Sequence, residues 1–327
     1  MNGNETLADH AQEAAPGDRR GIWLRLVLGL GILAGIFVFV DTRAIGGILA
    51  GADPLILLAA LALFVLERVV AAMRWRMLIA GIGEAPPLSR FISLIFTSTF
   101  LAFFLPGGVG GEIFRIYGLT RGRIDMARAL ASVFVERVLA LVALGMLILW
   151  GLANAPFSPP DAVLVAILFS FSVIAAACAL IFSPGVRRLA ARLLQSGRLS
   201  KWQAGIDNLF GNFDAFLTRP GLLAAGFVLA IGFQLLRVVA VWVAALALGM
   251  DHAFALFLYA VPSEYLITQI PISIGGVGVR EAGFAALLGL AGVSLEAAVA
   301  LSLLTYALSV LAVCPGAITF ARQGLRA

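Results

Sequence analysis

Residues 101–120 read Leu101-Ala102-Phe103-Phe104-Leu105-Pro106-Gly107-Gly108-Val109-Gly110-Gly111-Glu112-Ile113-Phe114-Arg115-Ile116-Tyr117-Gly118-Leu119-Thr120. The stretch and the residues before it are apolar enough for lipid, but the centre cannot continue one helix. Pro106 has no backbone donor, and each clustered glycine weakens a helix by about 1 kcal/mol. A second stretch breaks in the same manner, Pro271-Ile272-Ser273-Ile274-Gly275-Gly276-Val277-Gly278, and is followed by Val279, Arg280 and Glu281. Two apolar regions, 89–120 and 253–292, are thus interrupted in their middles. Irregular backbone at membrane depth is tolerated only where it is buried in protein or lines a cavity, so the breaks mark where a site is expected.

The surroundings of these stretches make lipid the relevant solvent. The chain has 327 residues, 61% hydrophobic and 13% charged, with mean hydropathy +1.03. A soluble domain carries roughly 45–50% apolar and about 25% charged residues. The reading is an all-α, polytopic integral membrane protein. Both cysteines, Cys178 and Cys314, sit in separate apolar runs, and the two histidines, His10 and His252, lack neighbouring ligands. No disulfide framework, metal set, cofactor or catalytic constellation is expected, and the chain is not read as an enzyme. The net charge of +5 does not point to nucleic acid, because the arginines punctuate apolar spans instead of forming one basic face.

A crossing helix needs about 20 mainly apolar residues. Six segments qualify: 21–40, 55–80, 127–151, 162–182, 221–249 and 295–320. Residues 1–20 form a polar tail, and 21–322 form one membrane domain with halves 21–160 and 161–322. With the N-terminus inside and both broken regions turning back as re-entrant hairpins, inside segments hold sixteen of the 23 Lys and Arg, Arg74 and Arg76 among them, and outside loops hold only Arg43. Such asymmetry fixes orientation and predicts a cytoplasmic (inner) membrane protein with both termini cytoplasmic. Two closely paired crossings at each break would preserve the same asymmetry. The 183–219 loop mixes Arg187, Arg188, Arg192 and Arg198 with Leu and Phe; it is read as an ordinary basic cytoplasmic loop, the alternative being a basic amphipathic helix on an anionic leaflet.

The halves repeat. Arg68-Val69-Val70-Ala71 and Arg237-Val238-Val239-Ala240 each fall mid-way along a long apolar segment, and each is followed by a tryptophan, Trp75 or Trp242. Each is then followed by a proline, a Gly-Gly-Val-Gly core, an acid and an arginine, and a final Ala/Leu-rich segment. Under the orientation above the halves are inverted, the arrangement that puts broken helices and a binding site near the bilayer midplane.

A charge at that depth costs at least about 2.5–3.5 kcal/mol, so it faces a partner or water. The spans retain Glu67, Arg68, Glu112, Arg115, Glu136, Arg137, Arg237, Glu264, Arg280 and Glu281. Adjacent residues point about 100° apart on a helix, so the partners in Glu67–Arg68 and Glu136–Arg137 are expected from other helices. Glycine-rich backbone and a following helix N-terminus favour an anion, although glycines also simply allow close helix packing.

These residues resemble a known family. Phe104 to Arg115, then Ser132-Val133-Phe134-Val135-Glu136-Arg137, then Pro271 to Glu281, with Arg74-Trp75 before them, are similar to the lysylphosphatidylglycerol synthase transmembrane, or flippase-like, family over residues 20–322. Two-domain members join this module to a cytoplasmic aminoacyl-transferase domain, for which no stretch here is long enough. The resemblance therefore implies the half that moves or holds a polar lipid. The expected headgroup site comprises Pro106, Gly107, Gly108, Gly110, Gly111, Glu112, Arg115, Glu136, Arg137, Pro271, Ser273, Gly275, Gly276, Gly278, Arg280, Glu281, Arg68, Arg237 and Glu264. Expected partners are membrane lipids and, in the alternative reading, a lipid-synthesis enzyme to which a non-transporting accessory protein presents lipid. A membrane-embedded transferase using Glu264 or Glu281 as a base is the weakest alternative.

Overall fold

A computed structural model describes residues 19–104, 109–121, 124–154, 203–269 and 276–323, with Ser273 and isolated positions between 161 and 188. Among the described residues there are eleven helices and no strand. α1 (Arg19–Phe39) meets α2 (Thr42–Ala50) at a bend of 91°. Asp41 starts α2, its carboxylate accepting the Arg43 and Ala44 amides at 2.8 and 3.4 Å, which satisfies two donors a helix start leaves open.

Two similar series follow. The first is α3 (Pro54–Gly81), α4 (Leu88–Phe104), α5 (Val109–Thr120) and α6 (Met126–Ala153). After α7 (Gln203–Leu217) comes the second: α8 (Pro220–Ala247), α9 (Phe254–Thr268), α10 (Val279–Gly289) and α11 (Leu295–Gln323). Each series runs long, short, short, long. Both opening helices carry proline in the first turn, where its missing amide costs nothing.

α3, α6, α8 and α11 are long and apolar enough to cross a membrane, with a fifth crossing if the bent α1–α2 pair counts as one. The expected spans 55–80, 127–151, 221–249 and 295–320 fall on these four. The expected first span, 21–40, falls on α1, and 162–182 is described only at isolated positions. The protein is a multi-pass membrane protein.

α3 and α8 form the central antiparallel pair. The Asp53 amide, preceding α3, donates to the Ala247 carbonyl at the end of α8 at 3.0 Å. Glu67 meets Arg237 half-way along, and Gly81 at the other end lies against Leu222. Neither broken region is one helix. α5 runs back beside α4: the Arg90 guanidinium, near the start of α4, donates to the Gly118 carbonyl near the end of α5 at 2.6 Å. A Cβ on Gly111 would sit 2.5 Å from the Ser98 carbonyl oxygen. α10 likewise returns along α9, with Arg280 beside Glu264 and Gly276 beside Thr268.

The short helix opening each hairpin packs on the last long helix of the other series, α4 on α11 and α9 on α6. Glycine makes both contacts possible. A Cβ on Gly151 of α6 would lie 2.5 Å from the Tyr259 amide of α9, and one on Gly316 of α11 would meet the Phe96 backbone of α4. At the latter joint the Thr97 hydroxyl donates to the Gly316 carbonyl at 3.3 Å. The 183–219 segment is described as a helix from Gln203. There Phe213 and Phe216 are buried against Leu78, Ala131 and Val135, so its aromatic face is covered by protein; this part is neither a plain loop nor a helix lying on lipid. The basic stretch before it is described only at isolated positions, Arg188 among them.

Because both joints are backbone against backbone, neither neighbour can move aside for a larger side chain, and overpacking costs about 1–3 kcal/mol or more. Gly151→Leu and Gly316→Leu are expected to lower the unfolding temperature in detergent and reduce monodisperse yield. Gly232→Leu on α8, where a Cβ meets nothing within 4 Å, is expected to leave both unchanged.

Candidate functional site

The two hairpins and the four long helices enclose a cavity of about 330 Å³. Of the residues the sequence singled out, Arg68, Gly111, Glu112, Arg115, Glu136, Arg137, Arg237, Glu264, Ser273, Gly276 and Arg280 border it. Pro106, Gly107, Gly108, Pro271 and Gly275 lie outside the described residues. Gly110 falls in the first turn of α5.

Apart from Arg68, which touches its own neighbour Glu67, the charges pair between helices. Glu136 of α6 is clasped by Arg74 of α3 at 2.6 Å and Arg115 of α5 at 3.0 Å. Arg115 also lies over the ring of Trp75, 4.6 Å from its centroid. Trp75 is fully buried and donates its indole N–H to the Ser132 hydroxyl at 3.1 Å. A guanidinium over a desolvated indole gains cation–π attraction of about 2 kcal/mol, so the Arg74-Trp75 pair holds two different groups of one cluster.

Glu67 of α3, with no exposure, takes Arg237 of α8 through Nη2 at 2.6 Å and Nε at 2.9 Å. Arg68 also touches it at 3.4 Å, its long side chain folding back along the helix. Arg237, Arg74 and Arg68 converge on the Phe233 ring at 5.0, 5.1 and 6.0 Å. Arg137 of α6 pairs with Glu112 of α5 and reaches the Tyr265 hydroxyl at 3.4 Å. Arg280 of α10 stacks on Tyr306 at 5.0 Å and meets Glu264 of α9 at 3.4 Å.

Several expectations need correction. Glu281 and Gly278 are not on the cavity wall. The Glu281 carboxylate accepts the Gly278 amide at 2.6 Å and the Ser302 hydroxyl at 3.2 Å, so it locks the start of α10. Gly278 and Gly276 adopt left-handed backbone, φ +82° and +77°, and supply the turn that a side chain would strain. Gly110 and Gly111 are already helical, and Gly111 serves close packing on α4. Glu112 and Glu281 stand in the first turns of α5 and α10, where a carboxylate already complements the helix dipole. The cations offered to a ligand are therefore guanidinium groups, not open helix ends.

Arg74, placed with the inside segments, is 3% exposed and lines the cavity. Trp75, Phe233 and Tyr265, absent from the expected site, hold its arginines. The Arg237–Glu67 and Arg74–Glu136 contacts join residues 170 and 62 positions apart, and no local pattern announces them; the Arg74-Trp75 dipeptide was the one available signal.

Removing one side of a buried ion pair leaves the other charge uncompensated, at about 3–5 kcal/mol. Glu136→Ala strands two guanidiniums and is expected to lower the unfolding temperature in detergent strongly. Arg43→Ala on an exposed segment is expected to stay within about 0.5 kcal/mol of the parent.

Comparison with known proteins agrees with a membrane protein. The family described as the lysylphosphatidylglycerol synthase TM region matches residues 22–316. A protein of Methanothermobacter thermautotrophicus described as a UPF0104 membrane protein is 26% identical over 268 residues, 73% of this chain and 76% of that one. No solved structure matches. With nearly the whole helical assembly inside the matched range, the chain belongs to the family of the lysylphosphatidylglycerol synthase transmembrane region.

Proposed function

We propose that the protein binds an anionic, phosphate-bearing lipid headgroup in the central cavity and carries it across the cytoplasmic membrane, with both termini cytoplasmic. The observation that carries this reading is the charge balance. Arg68, Arg74, Arg115, Arg137, Arg237 and Arg280 border the cavity. Against these six stand five carboxylates, Glu112, Glu136 and Glu264 on the cavity wall and Glu67 and Glu281 behind it, leaving one positive charge that a phosphate offsets. Keeping an excess of cations inside apolar helices is costly, and such residues mark substrate paths. Guanidinium is the group suited to phosphate, with several N–H donors in a fixed fork. The acyl tails stay in the bilayer, so only the headgroup needs a polar route.

An inverted-topology repeat supports translocation over static binding. The two series share the order long, short, short, long, their first helices are antiparallel, and each hairpin rests on the last helix of the other series. In repeats of this kind, one half rocks against the other around a fixed central site. The protein carries out no covalent chemistry in this reading and uses no cofactor.

Reconstitution into liposomes with a fluorescent phosphatidylglycerol tests the reading. The wild type is expected to expose inner-leaflet label to an external quencher. Arg115→Ala combined with Arg280→Ala is expected to slow this at least tenfold at unchanged gel-filtration profile. Wild-type protein that retains co-purified lipid but moves none would turn the reading toward a protein that presents lipid to a separate enzyme.

A further inference from the structure

The charges around the cavity are unevenly shared between its walls. On the side built by α3, α5, α6 and α8, cations exceed anions: Arg74 and Arg115 serve Glu136, Arg237 and Arg68 serve Glu67, and Arg137 serves Glu112. On the α9–α10 side, counting groups behind the wall as well, the ratio is reversed. Glu264 and Glu281 are both buried, at 6% and 3% exposure, and have one guanidinium between them, Arg280. Glu281 is committed to the Gly278 amide and Ser302. Glu264 meets the Nε edge of Arg280 at 3.4 Å, well beyond the roughly 2.7–2.9 Å of a charge-assisted hydrogen bond. Its Oε1 has no hydrogen-bond partner among the described residues, yet the side chain borders the cavity.

The other charged groups around Glu264 are engaged elsewhere. Arg237 faces it from α8 but is held by Glu67 at 2.6 Å. On α6, Arg137 is taken by Glu112 and Glu136 by its two arginines. Arg68 on α3 leans on Glu67, and from α11 Tyr306 offers its ring to Arg280. Arg280 is thus the counter-charge Glu264 depends on, and the same guanidinium is among those offered to a ligand phosphate.

We propose that Glu264 is a proton-binding site coupled to cavity occupancy. A phosphate entering the cavity draws the Arg280 N–H donors to itself. Glu264 is then a buried carboxylate beside a second carboxylate with no cation in contact, a state whose desolvation cost is removed by taking up one proton from the buffered solution that reaches the cavity. Loss of the phosphate returns Arg280 to Glu264, and the proton leaves. Ligand and proton are bound together, so a proton gradient would drive the lipid. This rests on the lipid reading above and adds its energy source.

Linkage gives the sign. Binding that takes up one proton strengthens as pH falls, by up to tenfold per pH unit where uptake is complete. Calorimetric titration of the detergent-purified full chain with short-chain phosphatidylglycerol, in two buffers of different ionisation enthalpy, counts the protons directly. Expected results are uptake approaching one proton per lipid for the wild type, with affinity rising as pH falls. Glu264→Gln is expected to bind with no uptake and with affinity independent of pH. Lipid binding by the wild type without uptake would overturn the coupling and leave lipid binding intact, a result that needs no variant to fold. Undiminished uptake in Glu264→Gln would overturn the assignment to this residue. No lipid binding at any pH would instead overturn the lipid reading. Inorganic phosphate titrated in parallel separates the remaining case: equal affinity and equal uptake would keep the proton site and make the ligand a free anion.

Discussion

An ion inside an apolar helix bundle has no water to solvate it, and the arrangement of this protein follows from that constraint. Each carboxylate in the middle of the assembly must meet a guanidinium from another helix or backbone and hydroxyl donors around it. Meeting that requirement fixes helix positions. Glu67–Arg237 sets the mid-point of the α3–α8 pair, and Glu136, reached from α3 and α5 at once, ties the first hairpin to two long helices. Replacing such clusters by hydrocarbon would often be neutral or stabilising, so their retention is better explained by what the arginines do in the cavity than by stability.

Glycine provides the second element of the design, and it does so in three different ways. At Gly276 and Gly278 it supplies left-handed backbone for the turn between α9 and α10. At Gly111 it lets α5 lie against the α4 carbonyls. At Gly151 and Gly316 it lets each hairpin touch the backbone of the opposite series. Only small residues permit such approach, and lipid offers no hydrophobic drive to hold looser contacts together. These joints hold the two series in close contact at their hairpins, and the Glu67–Arg237 pair between α3 and α8 ties the series together again at mid-length.

Much of this was legible in the sequence. Proline beside clustered glycine marked both breaks, because no helix tolerates that chemistry, and unbroken apolar length marked α3, α6, α8 and α11. The charged residues were visible as anomalies in lipid, but their partners were not: Arg74 and Glu136 are 62 positions apart. Arg74 was obscured because it precedes Arg76 near the end of a helix, where a basic pair ordinarily signals the membrane edge. Glu281 was ambiguous for a related reason. An acid after a glycine turn is compatible with both ligand binding and helix capping, and only its contacts with Gly278 and Ser302 separate the two. Gly151 and Gly316 gave no warning, since a lone glycine in an Ala/Leu-rich helix carries no mark of what it touches.

The uneven division of charge has a mechanical consequence. If every arginine were clasped by its own carboxylate, a phosphate would have to break a tight ion pair to bind and would gain little. If none were, the empty cavity would hold several bare cations at prohibitive cost. The observed gradation avoids both limits: Glu136 and Glu67 each receive a contact of 2.6 Å, while Glu264 has one of 3.4 Å. The tight clusters belong to helices that pack as a frame, and the loose pair bridges the two arms of one hairpin. A ligand that competes for Arg280 therefore acts on the contact that is easiest to disturb and closest to a glycine turn, leaving the frame's own ion pairs in place.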